Sequence, residues 1–563
     1  MLAILWSSLL GFIAVPLTAL VVALRRWQLG KRGVLEISFA NDMPRRADLE
    51  GVASTNELLD ALAGDPLLRA VKLRIRHPSM GWSAAQELHR RLRALRDAGK
   101  LVFVHLEVAG SQELMLAGAA DRVWLEPAAD VFLSGVGSEL TFFGGLFEKL
   151  GVRFEVETAG EFKSFGESYS RSFASAPNRQ AMSELVEDLA DQLIESIAEG
   201  RGIPPETVRR LMVEAPFGAE RALSEKLVDG LGHADQAHAA MEELLGQNIK
   251  PLSFRSYARL LRIERALSRW GKRERRVGVV HLEGAVVYGA EPSGGGGQRI
   301  DADRVVPVLD ELAELDAFGA VVLFINSPGG SALASDIIAR AVQRLGASKP
   351  VIAVFADTAA SGGYYIGAPA AEIIASPGTV TGSIGVVGGK LDLSGLMATL
   401  GVRSEAVRSP PEGMSLGPFR PFEDEERRRF RELLLRAYQR FLQIVAAGRR
   451  RPVEAIEPFA AGRVWTGRQA LQHGLVDRLG GLPEGIERAR YLAGLSPESP
   501  TVHLRFPPPR FRLLAQLLGR DAQAPDLVEL SLRTLGPLGD SLRLVRAMPG
   551  QALALLPWSV GRG

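Results

Sequence analysis

The chain has 563 residues, more than one ordinary hydrophobic core accommodates, so two or more domains are expected. Apolar residues make up 46% and charged residues 23%, the balance of a globular protein. A net charge of +2 leaves no nucleic-acid footprint, and the lack of cysteine excludes disulfides, thiolate catalysis and cysteine-ligated metals.

Residues 1–24 carry no charge and are followed by 25-RRWQLGKR-32. That length spans a bilayer once. With neither a basic leader nor a small-residue cleavage site, a retained anchor over 1–30 is expected rather than a cleaved signal peptide. The positive charges follow the span, which on the positive-inside rule alone would leave the body in the cytoplasm.

The body is written twice. The segments 71-VKLRIRHPSMG-81, 117-AGAADRVWLEP-127 and 150-LGVR-153 return as 321-VVLFINSPGGS-331, 367-GAPAAEIIASP-377 and 400-LGVR-403, each offset by 250 residues. Further on, 226-KLVDGLG-232 returns as 474-GLVDRLG-480. Strand-like runs at 34–40 and 277–287 open the two copies. In the second copy β-branched runs at 320–326, 350–356 and 372–376 alternate with helical patterns beginning at 331 and 361, which is βαβ organisation with a mostly parallel sheet. Met182, Leu185, Leu189, Leu193 and Ile197 share one helical face, as do Phe430, Leu434, Phe441 and Val445, and both sets read as core. The domains expected are repeats over 31–250 and 277–492, joined by an Arg-rich solvated linker helix over 251–276. A tail over 493–563 has no counterpart in the first copy. Its apolar 550-GQALALLPWSV-560 reads equally as a docking segment or as one lying on a membrane surface. The 293-SGGGG-297 run is a flexible loop, not a phosphate loop. The pair His233 and His238 has no metal-ligand spacing, and no metal is assigned.

The copies differ where chemistry would sit. Ser361, in 357-DTAASGGYYIG-367, faces Ser111 in 109-AGSQELML-116, which lacks the Gly-Gly. The turn 326-NSPGG-330 faces 76-RHPSM-80. In reverse, Lys163 in 157-ETAGEFKSFGE-167 faces Gly413 in 407-VRSPPEGMSLG-417. One copy supplies a serine and the other a lysine, and neither is complete alone. A serine beside two glycines at a strand-to-helix turn is either a helix cap or a nucleophile. Asp357 reads as a cap of the same turn.

INSPGG at 325–330, TAASGGYYIG at 358–367, TGSIG at 381–385 and AGEFKSFGE at 159–167, in this arrangement, resemble the signal peptide peptidase A family in its long, duplicated, membrane-anchored form. The resemblance implies a fold of two tandem Clp/crotonase-like α/β domains after a transmembrane helix, and peptide hydrolysis by a Ser–Lys dyad without a cofactor. It implies Ser361 as nucleophile, Lys163 as general base and Ser383 as the hydroxyl that orients the lysine. It also implies a homo-oligomeric, tetramer-like ring anchored in a bacterial inner membrane, its body periplasmic, acting on hydrophobic peptides such as signal-peptide remnants. Chemistry agrees on two points. No histidine lies in the Ser361 or Lys163 segments, so a lysine made neutral by desolvation is the base at hand. The oxyanion needs preorganised N–H donors, for which the amides of Gly330 and Gly362 are candidates. A crotonase-type acyl-CoA enzyme and a catalytically silent membrane scaffold are the alternative readings.

Overall fold

The structure, a computed structural model, describes residues 23, 26–27, 33–38, 58–76, 80–268, 274–289, 298–406, 408–410, 413–504 and 553–555. The expected anchor lies almost wholly outside them, as does the glycine run at 293–297. Among the described residues no helix is long and apolar enough to cross a membrane. The chain divides into two compact units, one from 1–136 and 189–273, the other from 137–188 and 274–562.

In the first unit, six parallel strands lie in the order Leu252–Ser253, Val34–Ser38, Ala70–Ile75, Leu101–Leu106, Arg122–Leu125 and Gly230–Leu231. Val71, Leu73, Val102, Phe103 and Val104 are fully buried, because a parallel sheet covered on both faces needs apolar residues on both. The Arg-rich segment is not a solvated linker. It forms the helix Phe254–Ser268, whose Phe254, Tyr257, Ala258, Leu260 and Leu261 are buried. Their three- and four-residue spacing makes an apolar stripe between the arginines, and Tyr257 donates its hydroxyl to Asp65 at 2.7 Å.

The second unit repeats the succession. Thr501–Leu504, Arg276–Glu283, Phe318–Ser327, Val351–Ala360, Glu372–Ala375 and Arg478–Leu479 are parallel neighbours. The strand Val351–Ala360 forks. Ile352–Phe355 pair with Glu372–Ala375, and Thr358–Ala360 pair with Val380–Gly382. Two buried hydroxyls hold the fork, Thr379 donating to the carbonyl of Ala356 at 2.8 Å and Thr381 to that of Ala359 at 2.6 Å. Asp357 lies inside this strand, not at a turn.

A second sheet in this unit runs Arg299–Asp301, Ala285–Val287, Gly329–Ser331, Leu553–Leu555, Val386–Asp392 and Arg153–Ala159. Arg153–Ala159 pairs antiparallel with Val386–Asp392 through seven residues, from Ala159 opposite Val386 to Arg153 opposite Asp392. The helices Ala176–Arg201 and Asp424–Arg449 bury the two apolar faces read from their periodicity, with every named residue 6% exposed or less.

Candidate active site

The serine turn is built at the end of the forked strand. Ser361 follows Ala360 and precedes the short helix Gly362–Gly367. Its amide donates to the Gly382 carbonyl at 2.8 Å, and its carbonyl accepts from the Tyr365 amide at 2.8 Å. These bonds hold the residue at φ 56° and ψ −115°, a backbone that costs an L residue on the order of 1–3 kcal/mol and persists only where its surroundings fix it. The helix behind it is pinned by Tyr364, whose hydroxyl donates to the Leu475 carbonyl, and by Tyr365, which donates to Asp336 and stacks on Phe441.

The two glycines after the serine permit close approach. A Cβ at Gly362 would stand 3.1 Å from the amide nitrogen of Gly330 and 3.2 Å from Cα of Gly329. One at Gly363 would stand 2.8 Å from the Ser327 carbonyl. The Ser-Pro-Gly-Gly turn therefore lies directly against the serine turn, with Gly330 and Gly362 side by side.

Lysine arrives through the antiparallel ladder. Ala159 opposes Val386, so Lys163, four residues after Ala159, comes beside Ser383, three residues before Val386. Lys163 Nζ stands 2.6 Å from Ser361 Oγ, 2.9 Å from Ser383 Oγ and 3.0 Å from the Ser383 carbonyl. Lys163 is 2% exposed, and both serines are fully buried. Among the described residues the amine thus meets two hydroxyls and a carbonyl but no carboxylate. Burial, which penalises the charged form, holds its pKa well below the ordinary lysine value. Ser361 makes no side-chain cap bond to its helix, whereas Ser331, at the start of Ala332–Ser348, accepts from the Ala334 amide at 3.3 Å. Of the two readings of Ser361, the helix cap is the one the geometry removes.

The structure brings together all five residues singled out in the sequence. It adds a sixth element, the loop Ala461–Arg463. The Ala461 carbonyl accepts from Phe162, the Gly462 amide donates to Ile384, and the Arg463 carbonyl accepts from the Ser383 amide. The loop thereby ties the lysine segment to the Ser383 segment. Gly462 has φ 83°, and a Cβ there would stand 2.5 Å from the Lys163 amide nitrogen. At the 248-residue offset the first copy has Glu214 here, a difference visible in the sequence by the same comparison that exposed Lys163.

The family model described as peptidase family S49 matches residues 94–248 and 343–496. The chain belongs to peptidase family S49. It is 30% identical over 438 residues to the chloroplastic serine protease SPPA of Arabidopsis thaliana, covering 77% of this chain and 64% of that one. It is 31% identical over 419 residues to Protease 4 of Salmonella typhi, covering 72% of this chain and 66% of that one. Protease 4 of Haemophilus influenzae is 28% identical over 410 residues, 70% of this chain and 65% of that one. The chain thus spans just under two thirds of the length of these relatives. ClpP1 of Listeria monocytogenes aligns with 37% of this chain and 94% of its own at 17% identity and a TM-score of 0.24, too remote to bear on the S49 fold.

Proposed function

We propose that the chain is a serine endopeptidase in which Ser361 is the nucleophile and Lys163 the general base. The observation that carries this reading is a buried lysine amine 2.6 Å from a buried serine hydroxyl, with no carboxylate among the described residues to keep it protonated. A neutral amine accepts the Ser361 proton as Oγ attacks the scissile carbonyl carbon. The amides of Gly330 and Gly362 receive the oxyanion. The lysine, now an ammonium, returns its proton to the departing amine nitrogen as the C–N bond breaks, leaving the acyl group on Ser361. A water, deprotonated by the same amine, then attacks the acyl carbon, and the ammonium returns that proton to Ser361 Oγ as the acyl C–O bond breaks, regenerating the free serine and the neutral amine. Ser383 holds Nζ through its hydroxyl and its carbonyl, so the lone pair stays aimed at Ser361.

Membership of family S49 and the names of the relatives support peptide hydrolysis. Hydrophobic peptides such as signal-peptide remnants as substrates, the membrane anchor over 1–30, a periplasmic body and a ring of several copies rest on the sequence resemblance. The test is hydrolysis of a quenched hydrophobic peptide by detergent-solubilised full chain, compared with Ser361→Ala and Lys163→Ala, each checked for folding and assembly. Joint loss of turnover is expected. Loss in Ser361→Ala alone would require another base, and equal turnover in all three chains would overturn the assignment.

A further inference from the structure

Lys163 sits in neither strand nor helix. The strand Arg153–Ala159 ends four residues before it, and the helix Glu167–Ser170 begins four residues after it. A lysine stem is long and flexible, so its amine is fixed only if the backbone beneath it is held. The side chain of Arg463 supplies that hold. Its guanidinium carbon lies 4.9 Å from the ring centre of Phe162, the residue before the lysine, and 4.4 Å from that of Trp465. A planar cation suits the negative faces of aromatic rings. Arg463 also pairs with Glu184 on the helix Ala176–Arg201. Its own carbonyl accepts from the Ser383 amide at 2.6 Å. Trp465 opposes Thr381, two residues before Ser383, and donates its indole N–H to the Phe459 carbonyl at 2.9 Å. One residue therefore grips the lysine segment with its side chain and the Ser383 segment with its backbone.

The duplicated sequence separates this device from the needs of the fold. At the 248-residue offset Arg463 faces Ala215 and Trp465 faces Phe217, and at the 250-residue offset Phe162 faces Glu412. The aromatic of the strand is kept, but the arginine and the ring it holds are not. The first copy forms its strand Phe217–Gly218 without them. We propose that Arg463 is a positioning residue of the reaction: laid on Phe162 and Trp465 and paired with Glu184, it holds the lysine segment against Ser383 so that Nζ stays dry and aimed at Ser361. The inference rests on the peptidase reading above. Arg463 acts through Phe162, not on the reacting atoms. The Glu184 side chain is 38% exposed, so the pair orients the guanidinium more than it stabilises the fold. Releasing the grip frees Phe162 and with it the lysine backbone. Nζ then leaves its 2.6 Å contact with Ser361, water reaches the amine, and its charged form is penalised less. Neutral base becomes scarcer at a given pH by about tenfold for each unit its pKa climbs.

Three variants of the detergent-solubilised full chain test this. Arg463→Met keeps the stem and loses the planar cation, Phe162→Leu loses the ring face, and Glu184→Gln loses only the charge. The readout is the rate at which a small sulfonyl fluoride labels Ser361, followed by mass spectrometry between about pH 6 and 10. The Oγ–sulfur bond forms as fluoride leaves and the hydroxyl proton passes to the base, so the rate reports the Ser361–Lys163 pair without a peptide being cleaved. In Arg463→Met and Phe162→Leu the acid limb is expected to move alkaline by roughly half a pH unit or more, slowing labelling on that limb at least about threefold, with a smaller shift in Glu184→Gln. KM for the quenched peptide should stay within about twofold. A rate lowered uniformly with its midpoint unmoved is general loosening and overturns the proposal, as does an unchanged profile. A large rise in KM with kcat unmoved would place Arg463 in substrate binding and overturn it too. Should Arg463→Met lack a thermal unfolding transition, the other two variants carry the same expectation. A Lys163-dependent limb that none of the variants moves would remove the role of Arg463 and leave the dyad standing. Equal labelling of wild type and Lys163→Ala would remove the dyad itself, and the role of Arg463 with it.

Discussion

Replacing Lys163 by methionine removes the amine and keeps most of the stem, so it isolates what the amine does to the fold. Burial depresses the folded pKa of Lys163. Above the ordinary lysine pKa both the folded and unfolded chains hold a neutral amine, and the group contributes nothing to pH dependence. As pH falls below that value the unfolded chain takes up a proton that the folded chain refuses. Stability then drops by about 1.4 kcal/mol per pH unit until the folded amine itself titrates. Methionine has no such slope. The hydrogen bonds lost with the amine, about 0.5–1.5 kcal/mol each, offset the variant's curve without tilting it. Scanning calorimetry of both chains between pH 7 and 9.5 is the assay. The Tm of wild type relative to Lys163→Met is expected to fall by roughly 2–3 °C for each unit of acidification, taking about 2 °C per kcal/mol for a unit of this size. Turnover should disappear in the variant, and wild-type kcat/KM should rise with pH along a one-proton limb, since the neutral amine is the reactive form. A Tm difference that stays constant across this range would mean the lysine is charged in the fold, and its role as general base would fall with it.

Gly462→Ala should abolish turnover by displacing the Lys163 backbone, which the new Cβ would meet at 2.5 Å. Its positive φ adds strain of roughly 1–3 kcal/mol, visible as a lower Tm. Normal kcat in this variant would show that the loop does not position the lysine. Ser383→Ala leaves the carbonyl contact to Nζ and removes the hydroxyl one. A fall in kcat of about tenfold, as for loss of one hydrogen bond of about 1.4 kcal/mol, with little change in KM is expected, and an unchanged kcat would remove its orienting role. Ser331→Ala deletes the helix cap of Ala332–Ser348 and should destabilise the fold by about 1 kcal/mol in urea unfolding, an unchanged midpoint being the contrary result.

The parallel strands were legible because buried strands are continuous apolar runs, and the repeat offset fixed their succession twice over. The serine and the lysine were legible because the two copies diverge there against a background that agrees. Gly462 carries the same kind of divergence, Glu214 in the first copy, yet alone it spells no chemistry. Its importance lies in a backbone contact that only the folded loop creates. The Arg-rich helix misled because charge dominates its composition while its burial depends on the few apolar residues between the arginines. The strand Leu553–Leu555 was beyond reach, since a short alternation of alanine and leucine suits strand or helix and its register comes from edges far away in the sequence, at Gly329–Ser331 and Val387.

The first copy supplies the control for the second. It keeps the six-strand succession and supplies Lys163, but it lacks the glycine turns around the serine and the counterpart of Ser383. Ser111 stands where Ser361 does, yet its hydroxyl donates to the Gly135 carbonyl at 3.3 Å and accepts from the Gly135 amide at 3.1 Å. At the position of Ser383 the first copy has Leu133, fully buried and apolar. A hydroxyl bonded to backbone on both sides is held by structure rather than by a lysine amine, so similarity of motif does not give Ser111 the setting of Ser361. Ser111→Ala should therefore leave kcat and KM for the hydrophobic peptide unchanged. It should lower stability by about 1–3 kcal/mol through the partners left unpaired. Alanine at Ser361 should do the reverse, removing turnover with a smaller change in Tm. Were Ser111→Ala to reduce kcat in a chain whose Tm is unchanged, the first unit would hold chemistry of its own, and assigning the reaction to the second unit alone would be wrong.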